Sequence, residues 1–156
     1  MLTLRAARVA DAAELARLRY EFRAAERPAV ESRDDFLARC TPWMRVRLAP
    51  DSRWHCIVAE QDGAMVGHVW LEVVDKVPNP GGNEPERHIY LTNLYVRPDA
   101  RGGPGSALLE AAIAWCREHR VDTVILWPSE KSRTLYARYG FAPSAAILAL
   151  SLKDEE

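Results

Sequence analysis

The run Leu94-Tyr95-Val96-Arg97-Pro98-Asp99-Ala100-Arg101-Gly102-Gly103-Pro104-Gly105-Ser106-Ala107-Leu108-Leu109 decides how this chain is read. A short apolar strand ends at Pro98, passes an arginine and a cluster of glycines, and opens without pause into a helix. Glycines let the backbone approach a ligand closely, and a helix start presents unpaired N–H groups at a positive dipole end. The combination is an anion cradle suited to a phosphate or pyrophosphate. Arg101 at its mouth adds a cation whose fork geometry matches phosphate oxygens.

Spacing narrows the ligand. A P-loop closes its glycine run with Lys-Ser/Thr, whereas this run closes with Ser106-Ala107. A dinucleotide fingerprint needs a further glycine where Leu108 stands, and normally follows the first strand of its unit with an acidic residue about 20 positions on. Asp122 falls near that distance but reads as the start of a strand, so the dinucleotide reading is weak.

A second block, Ser129-Glu130-Lys131-Ser132-Arg133-Thr134-Leu135-Tyr136-Ala137-Arg138-Tyr139-Gly140-Phe141, follows after one helix and one strand. The first block resembles the acetyl-CoA-binding motif of the GCN5-related N-acetyltransferase (GNAT) superfamily, Leu-Tyr-Val-x-Pro followed by Arg/Gln-x-x-Gly-x-Gly/Ala and a helix. The second is similar to that family's Asn-x-x-Ala-x-x-Leu-Tyr-x-x-x-Gly-Phe signature. The resemblance is specific from about residue 88 to 141 and loose elsewhere. The loop is one residue shorter than the family form, Ser129 stands where Asn is common, and Pro104 has no N–H to give. Proline at a first helical position is otherwise well tolerated.

Length and composition fit one soluble domain over residues 1–156. Apolar residues make up 48% and charged residues 28%, with a formal net charge of −1. That balance, with no basic block, argues against nucleic-acid binding. No leader pattern and no apolar run near 18 residues is apparent, so secretion and membrane spanning are not expected. Cys40, Cys56 and Cys116 are widely spaced and read as reduced core thiols in a cytoplasmic protein. With the four His they show no metal spacing, so no metal is expected.

The pattern along the chain predicts an edge strand at Leu2–Arg5, then a helix capped by Asp11 with Glu14 completing a capping box. A second helix opens at Ser32 and is kinked or divided at Pro42. Strands at 54–60 and 65–74 flank an Asp62-Gly63 hairpin turn. Residues 78–85 read as a loop, and a strand runs from His88 to Val96. A helix from Ser106 to about His119 turns Leu108, Ala111, Ala112, Trp115 and Cys116 toward the sheet. A buried strand at 121–127, a short helix at 129–139 and a closing strand at 145–152 complete the order. An antiparallel meander followed by a parallel crossover makes an α/β fold with a mixed sheet. The resemblance implies the GNAT version of it, mostly antiparallel and flanked by helices. In that fold the parallel pair, here the strands ending at Val96 and Trp127, splays apart to admit the pantetheine arm.

The resemblance also implies the chemistry. Acetyl-CoA is the cosubstrate and an amine the acceptor, with homodimers frequent among relatives. Backbone groups of Leu94, Tyr95 and Val96 are expected to meet the pantetheine amides. Arg101, Gly102, Gly103, Gly105 and Ser106 are expected to meet the pyrophosphate, and Ser129 another part of the cofactor. Tyr136 matches the tyrosine that protonates the departing sulfur, a role its ordinary pKa near 10 permits. Where relatives often carry a strand Glu or Asp as general base, this chain has Thr92 and Asn93. Asn93 is a candidate to orient a water or the acceptor carbonyl. Glu72, Asp75, Glu86, His88 or a water chain are the candidate bases, and direct attack without one stays open. Trp43 or Trp70 is the expected wall of an acceptor pocket, and carboxylates such as Glu72 beside it would favour a cationic amine. The alternative reading is an acyl-CoA-binding module without transfer activity.

Overall fold

A computed structural model describes residues 1–81 and 86–153, and its sheet grows from the Asp62-Gly63 turn. Both residues have positive φ, 52° and 78°, as a type I′ hairpin requires. The turn joins β2 (Trp54–Gln61) to β3 (Ala64–Asp75), with Gln61 opposite Ala64. On one side β1 (Leu2–Ala6) pairs antiparallel with β2; on the other, β4 (Arg87–Val96) pairs antiparallel with β3. β5 (Thr123–Ile125) then joins β4 in parallel, so the strands lie in chain order. This is the expected α/β class with a mixed, mostly antiparallel sheet.

The chain forms two compact units, Met1–Leu126 and Trp127–Glu156. In the first, α1 (Ala12–Glu26) and α2 (Arg33–Arg47) cover one sheet face. Leu15, Ala16 and Leu18 of α1 meet Cys40 and Met44 of α2 and Cys56, Val58 and Trp70 of the sheet in one apolar cluster. The three- and four-residue spacing of these positions is what makes one helical face apolar. Each fully buried leucine contributes about 1.5–3 kcal/mol relative to exposure. Strand alternation sends Val69 and Leu71, both fully buried, to the opposite face. There α3 (Pro104–Glu118) touches β2, β3 and β4 and buries Leu108, Leu109, Ala112 and Cys116.

Local chemistry sets the helix ends. α1 stops at Arg27, whose extended backbone (φ −145°, ψ 144°) is the conformation forced on a residue preceding proline. Ser32 accepts a hydrogen bond from the Asp35 N–H at 3.1 Å and so caps α2 as expected. α3 ends with Arg120 at φ 55°, a left-handed exit that a non-glycine residue rarely supplies.

Several expectations need correction. Asp11 does not cap α1: its carboxylate accepts the Arg8 N–H at 2.7 Å and two guanidinium N–H groups of Arg5. It therefore closes the 3₁₀ turn Val9–Asp11 and ties it to β1. α2 runs undivided through Pro42, which costs the helix one hydrogen bond. α3 begins at Pro104 rather than Ser106, because proline is accommodated at the helix start. Leu109 joins its buried side, while Ala111 and Trp115 are half-buried. Trp115 instead stacks between His55 and His119, at 4.6 and 3.9 Å.

The predicted buried strand at 121–127 shrinks to β5, which sits half-exposed at the sheet edge with β4 as its partner. In the second unit the 3₁₀ turn Glu130–Ser132 leads into α4 (Arg133–Arg138), a shorter helix than expected. No strand forms at 145–152. Leu148, Leu150 and Leu152 are exposed there, and this Leu/Ala-rich stretch has only Ile147 as a β-branched residue, a weak strand former without a pairing neighbour. Of the predicted loop at 78–85, residues 82–85 lie outside the described residues. No helix among the described residues is long and apolar enough to cross a membrane.

Candidate active site

The pairing of β3 with β4 slips at one place. His68 lies opposite Tyr95, but Trp70 lies opposite Thr92. β4 therefore carries one extra residue there, a β-bulge at Asn93-Leu94. Asn93 takes φ 57°, a left-handed conformation that Asn tolerates better than most side chains. A bulge leaves a peptide without its ladder partner, and here the Asn93 carbonyl is met by the His68 ring, Nδ1 to O at 2.9 Å.

That contact fixes the state of His68. A carbonyl only accepts, so Nδ1 carries the proton and Nε2 holds a lone pair. His68 is fully buried, and its Nε2 has no hydrogen-bond partner among the described residues. Burial pushes its pKa down to about 4, against a smaller upward pull from the Asn93 carbonyl. The ring is neutral at physiological pH.

The Asn93 side chain is held from the opposite direction. Arg19 of α1 donates from Nη1 to Asn93 Oδ1 at 3.1 Å. Burial, and then the charge of Arg23, lowers the pKa of this guanidinium. The Tyr95 ring packs on Phe22 at 4.9 Å and near His68 at 5.9 Å. Asn93, Tyr95, His68 and Arg19 thus meet on the α1 side of the sheet.

On the other face, Gly67 explains why the bulge can close. A Cβ there would lie 2.7 Å from the Tyr95 carbonyl oxygen, so only glycine permits this backbone approach. The parallel pairing of β4 with β5 covers only His88–Tyr90 with Thr123–Ile125. From Leu91 to Val96, β4 has no strand partner on that side among the described residues. The peptide groups of Leu94 and Val96 thus lie on a strand edge free of the usual ladder.

β4 runs straight into the cradle. Arg97 N–H donates to the Val66 carbonyl at 2.8 Å, ending the ladder. The next turn presents Arg101, exposed, whose peptide is gripped by Gln61. Gln61 Nε2 donates to the Arg101 carbonyl, and the Arg101 N–H reaches Gln61 Oε1 at 3.4 Å. Gly102 and Gly103 have φ of 81° and 71°, which turns the chain sharply into α3. The first helical bond there is Ala107 N–H to the Gly103 carbonyl at 3.2 Å, so the N–H groups of Gly105 and Ser106 precede any intrahelical partner. Pro104 supplies no donor, as expected.

In the second unit, Tyr136 is buried and its ring meets Phe141 edge-on at 5.4 Å. Burial raises the pKa of its phenol. Ser129 exchanges hydrogen bonds with Ser132, its N–H and hydroxyl both meeting Ser132 Oγ at 3.0 and 2.9 Å. Its contacts are those of a turn cap.

The candidate bases are dispersed. Glu86 is held by Lys76 at 2.7 Å and by Asn79 at 2.9 Å, and Lys76 draws its pKa down. At about 3.3 Å per residue along β4, Glu86 and His88 lie roughly 15–25 Å from Asn93. Asp75 pairs with Arg87 at the same far end, while Glu72 stands opposite Tyr90. Trp70 is buried and forms a cluster with Trp43 and Trp54, at 6.0 Å from each. Among the described residues no three His, Cys, Asp or Glu side chains gather as a metal site. Sequence reasoning missed Arg19, Gln61, Gly67 and His68. A glycine and a histidine inside an otherwise apolar strand were the available signal for the middle of β3.

Comparison with known proteins agrees with this geometry. A predicted acetyltransferase from Clostridium acetobutylicum, solved with acetyl-CoA, is 25% identical with a TM-score of 0.77, over 97% of each chain. A GCN5-related N-acetyltransferase from Ralstonia eutropha JMP134 is 28% identical with a TM-score of 0.76, over 98% of this chain and all of that one. A mycothiol acetyltransferase from Cellulomonas flavigena is 35% identical over 95 residues, which is 57% of this chain but only 27% of that protein's length. The model of the acetyltransferase (GNAT) family matches residues 13–141. That match spans most of the chain, and this chain belongs to the acetyltransferase (GNAT) family.

Proposed function

We propose that this chain is a single-domain, acetyl-CoA-dependent N-acetyltransferase that acetylates a primary amine of a small molecule or peptide by direct attack. The observation that carries the reading is the continuity of three features on β4. Its pairing with β5 stops after Tyr90, the bulge follows at Asn93-Leu94, and the cradle opens α3 directly beyond Val96. The acetyl-CoA held by the Clostridium relative fits this reading.

In this scheme the pyrophosphate rests on the N–H groups of Gly105 and Ser106, with Gly102 and Gly103 shaping the approach and Arg101 adding charge. The pantetheine amides pair with the free backbone edge at Leu94, Tyr95 and Val96, as an added strand would. The neutral amine nitrogen attacks the thioester carbonyl carbon, a C–N bond forms, and the C–S bond breaks. The amine proton leaves to solvent, and the Tyr136 hydroxyl gives its proton to the departing thiolate and regains one from solvent. The raised phenol pKa keeps that proton in place at neutral pH. Asn93 positions the acceptor, Ser129 adds a further cofactor contact, and buried, unpaired Cys40, Cys56 and Cys116 suit a reducing cytoplasm.

The test is release of free thiol from acetyl-CoA with a panel of amines, alongside thermal stabilisation by CoA. Amine-dependent thiol release together with stabilisation supports the transferase. Stabilisation without thiol release identifies a binding module instead, and the absence of both removes the acetyl-CoA reading.

A further inference from the structure

The arginines of α1 are not equivalent. Arg17 pairs with Glu14, and Arg23 with Glu26 at 3.1 Å, although both pairs are solvent-exposed. Arg19 is the partly buried member, and no carboxylate lies within ion-pairing distance of it among the described residues. Its polar contact is a neutral amide, Asn93 Oδ1. Taking a guanidinium out of water is costly unless an anion compensates. One amide oxygen uses a single N–H of a group that carries five.

The placement of this cation gives it meaning. Asn93 is the bulged residue of β4, and its carbonyl is already fixed by buried His68. The aromatic rings of Phe22 and Tyr95 lie alongside, and the Arg19 guanidinium sits 5.8 Å from the Phe22 ring centroid. A rigid, partly desolvated positive fork thus stands one side-chain length from the strand irregularity beside which the thioester is placed above.

We propose that Arg19 binds a carboxylate of the acceptor, so that the substrate is an amine bearing a carboxylate near the reacting nitrogen, such as an amino acid or a short peptide with a free C-terminus. This inference rests on the transferase reading. It also runs against the expectation that Glu72 would select a cationic amine, because the charged group that touches Asn93 is basic. The guanidinium's remaining N–H groups match the planar, two-oxygen geometry of a carboxylate. Asn93 then serves two purposes, orienting Arg19 through Oδ1 while its own backbone shapes the bulge.

The experiment compares amino acids with their carboxamides and their decarboxylated amines, using wild type and Arg19→Met, with acetyl-CoA saturating. Wild type should prefer the carboxylates by roughly 10- to 100-fold in kcat/KM, the value of a charge-assisted hydrogen bond. Arg19→Met should abolish that preference through the acceptor KM while the KM for acetyl-CoA stays put. A merely structural Arg19 would lower all acceptors alike, and that result overturns the proposal. If Arg19→Met fails to fold, Arg19→Lys, which keeps the charge without the fork, should weaken the carboxylate preference through the acceptor KM, and an unchanged preference there overturns the proposal. Calorimetric binding of the same carboxylates to the CoA-bound protein separates the two readings. Turnover indifferent to the carboxylate defeats this inference and leaves the transferase standing. Carboxylate binding without turnover defeats the transferase and keeps the anion site, and the absence of both defeats each.

Discussion

His68 Nδ1 and the Asn93 carbonyl lie 2.9 Å apart, joining a fully buried imidazole to the one slipped peptide of β4. The hydrogen bond replaces the ladder bond the bulge gives up. Burial keeps the ring neutral against the smaller upward pull of that bond, so the site stores a group that resists protonation. Both consequences can be measured.

Because the folded pKa of His68, about 4, lies below the unfolded value near 6.5, the unfolded chain binds this proton first as pH falls. The contribution is fully present above about pH 6.5 and is lost progressively between about 6.5 and 4, to a total on the order of 3 kcal/mol. His55 shifts in the same direction, from burial and then His119. Urea midpoints for wild type should therefore drop steeply from pH 7 to pH 4.5. His68→Phe should be less stable at pH 7, having lost the bond to Asn93, yet show a flatter pH profile. An equally steep profile in that variant would contradict the neutral-histidine account.

Gly67→Ala should be destabilising despite adding a single methyl. Its Cβ would meet the Tyr95 carbonyl oxygen at 2.7 Å and the Val96 and Leu108 side chains at 3.2 Å. The nearest atom is backbone, so β3 and β4 must move apart, at a cost of about 1–3 kcal/mol. Denaturant melts check the stability, and a weakened response to CoA would register the shift of Tyr95 and Val96. Gly63→Ala supplies a contrast, since nothing lies near its Cβ and only its positive φ is strained.

How much of this was legible in the residues follows from what each pattern encodes. The Asp62-Gly63 turn, the strand-to-helix glycines and the Ser32 cap are local signals, read from neighbouring residues alone. The family blocks marked the strand-to-helix loop and Tyr136 as candidates. The Asn93 bulge was not legible, because it depends on the pairing of two strands and on Gly67 opposite. Arg19 and His68 acquire their roles only when α1 and β3 are brought to that bulge. Asp11 was misread for a related reason: its capping pattern is local, but Arg5 and Arg8 compete for the same carboxylate. The stretch at 145–152 shows the converse, an apolar run read as a strand although its composition is weak for one and no neighbour pairs with it.

The Gln61 grip on Arg101 should tune cosubstrate affinity without touching chemistry. Gln61 ends β2 and holds both the carbonyl and the N–H of the Arg101 peptide, so it fixes the loop leading to Gly102 and Gly103. Gln61→Ala should raise the KM for acetyl-CoA by several-fold while kcat changes little, the pattern of lost uniform binding. Arg101→Ala should do the same with an added loss of salt sensitivity if, as proposed, its charge faces the pyrophosphate.

Tyr136→Phe tests the other half of the reaction. Removing the hydroxyl keeps the ring that packs on Phe141, so folding and CoA-induced stabilisation should persist. If the phenol delivers the proton to sulfur, kcat should fall roughly 10- to 1,000-fold with little change in the KM for acetyl-CoA. An acyl donor whose leaving thiol is more acidic needs that proton less, and should recover much of the lost rate in the variant. Wild-type turnover in Tyr136→Phe would remove the acid role, and equal losses for both donors would assign the tyrosine to packing rather than proton transfer.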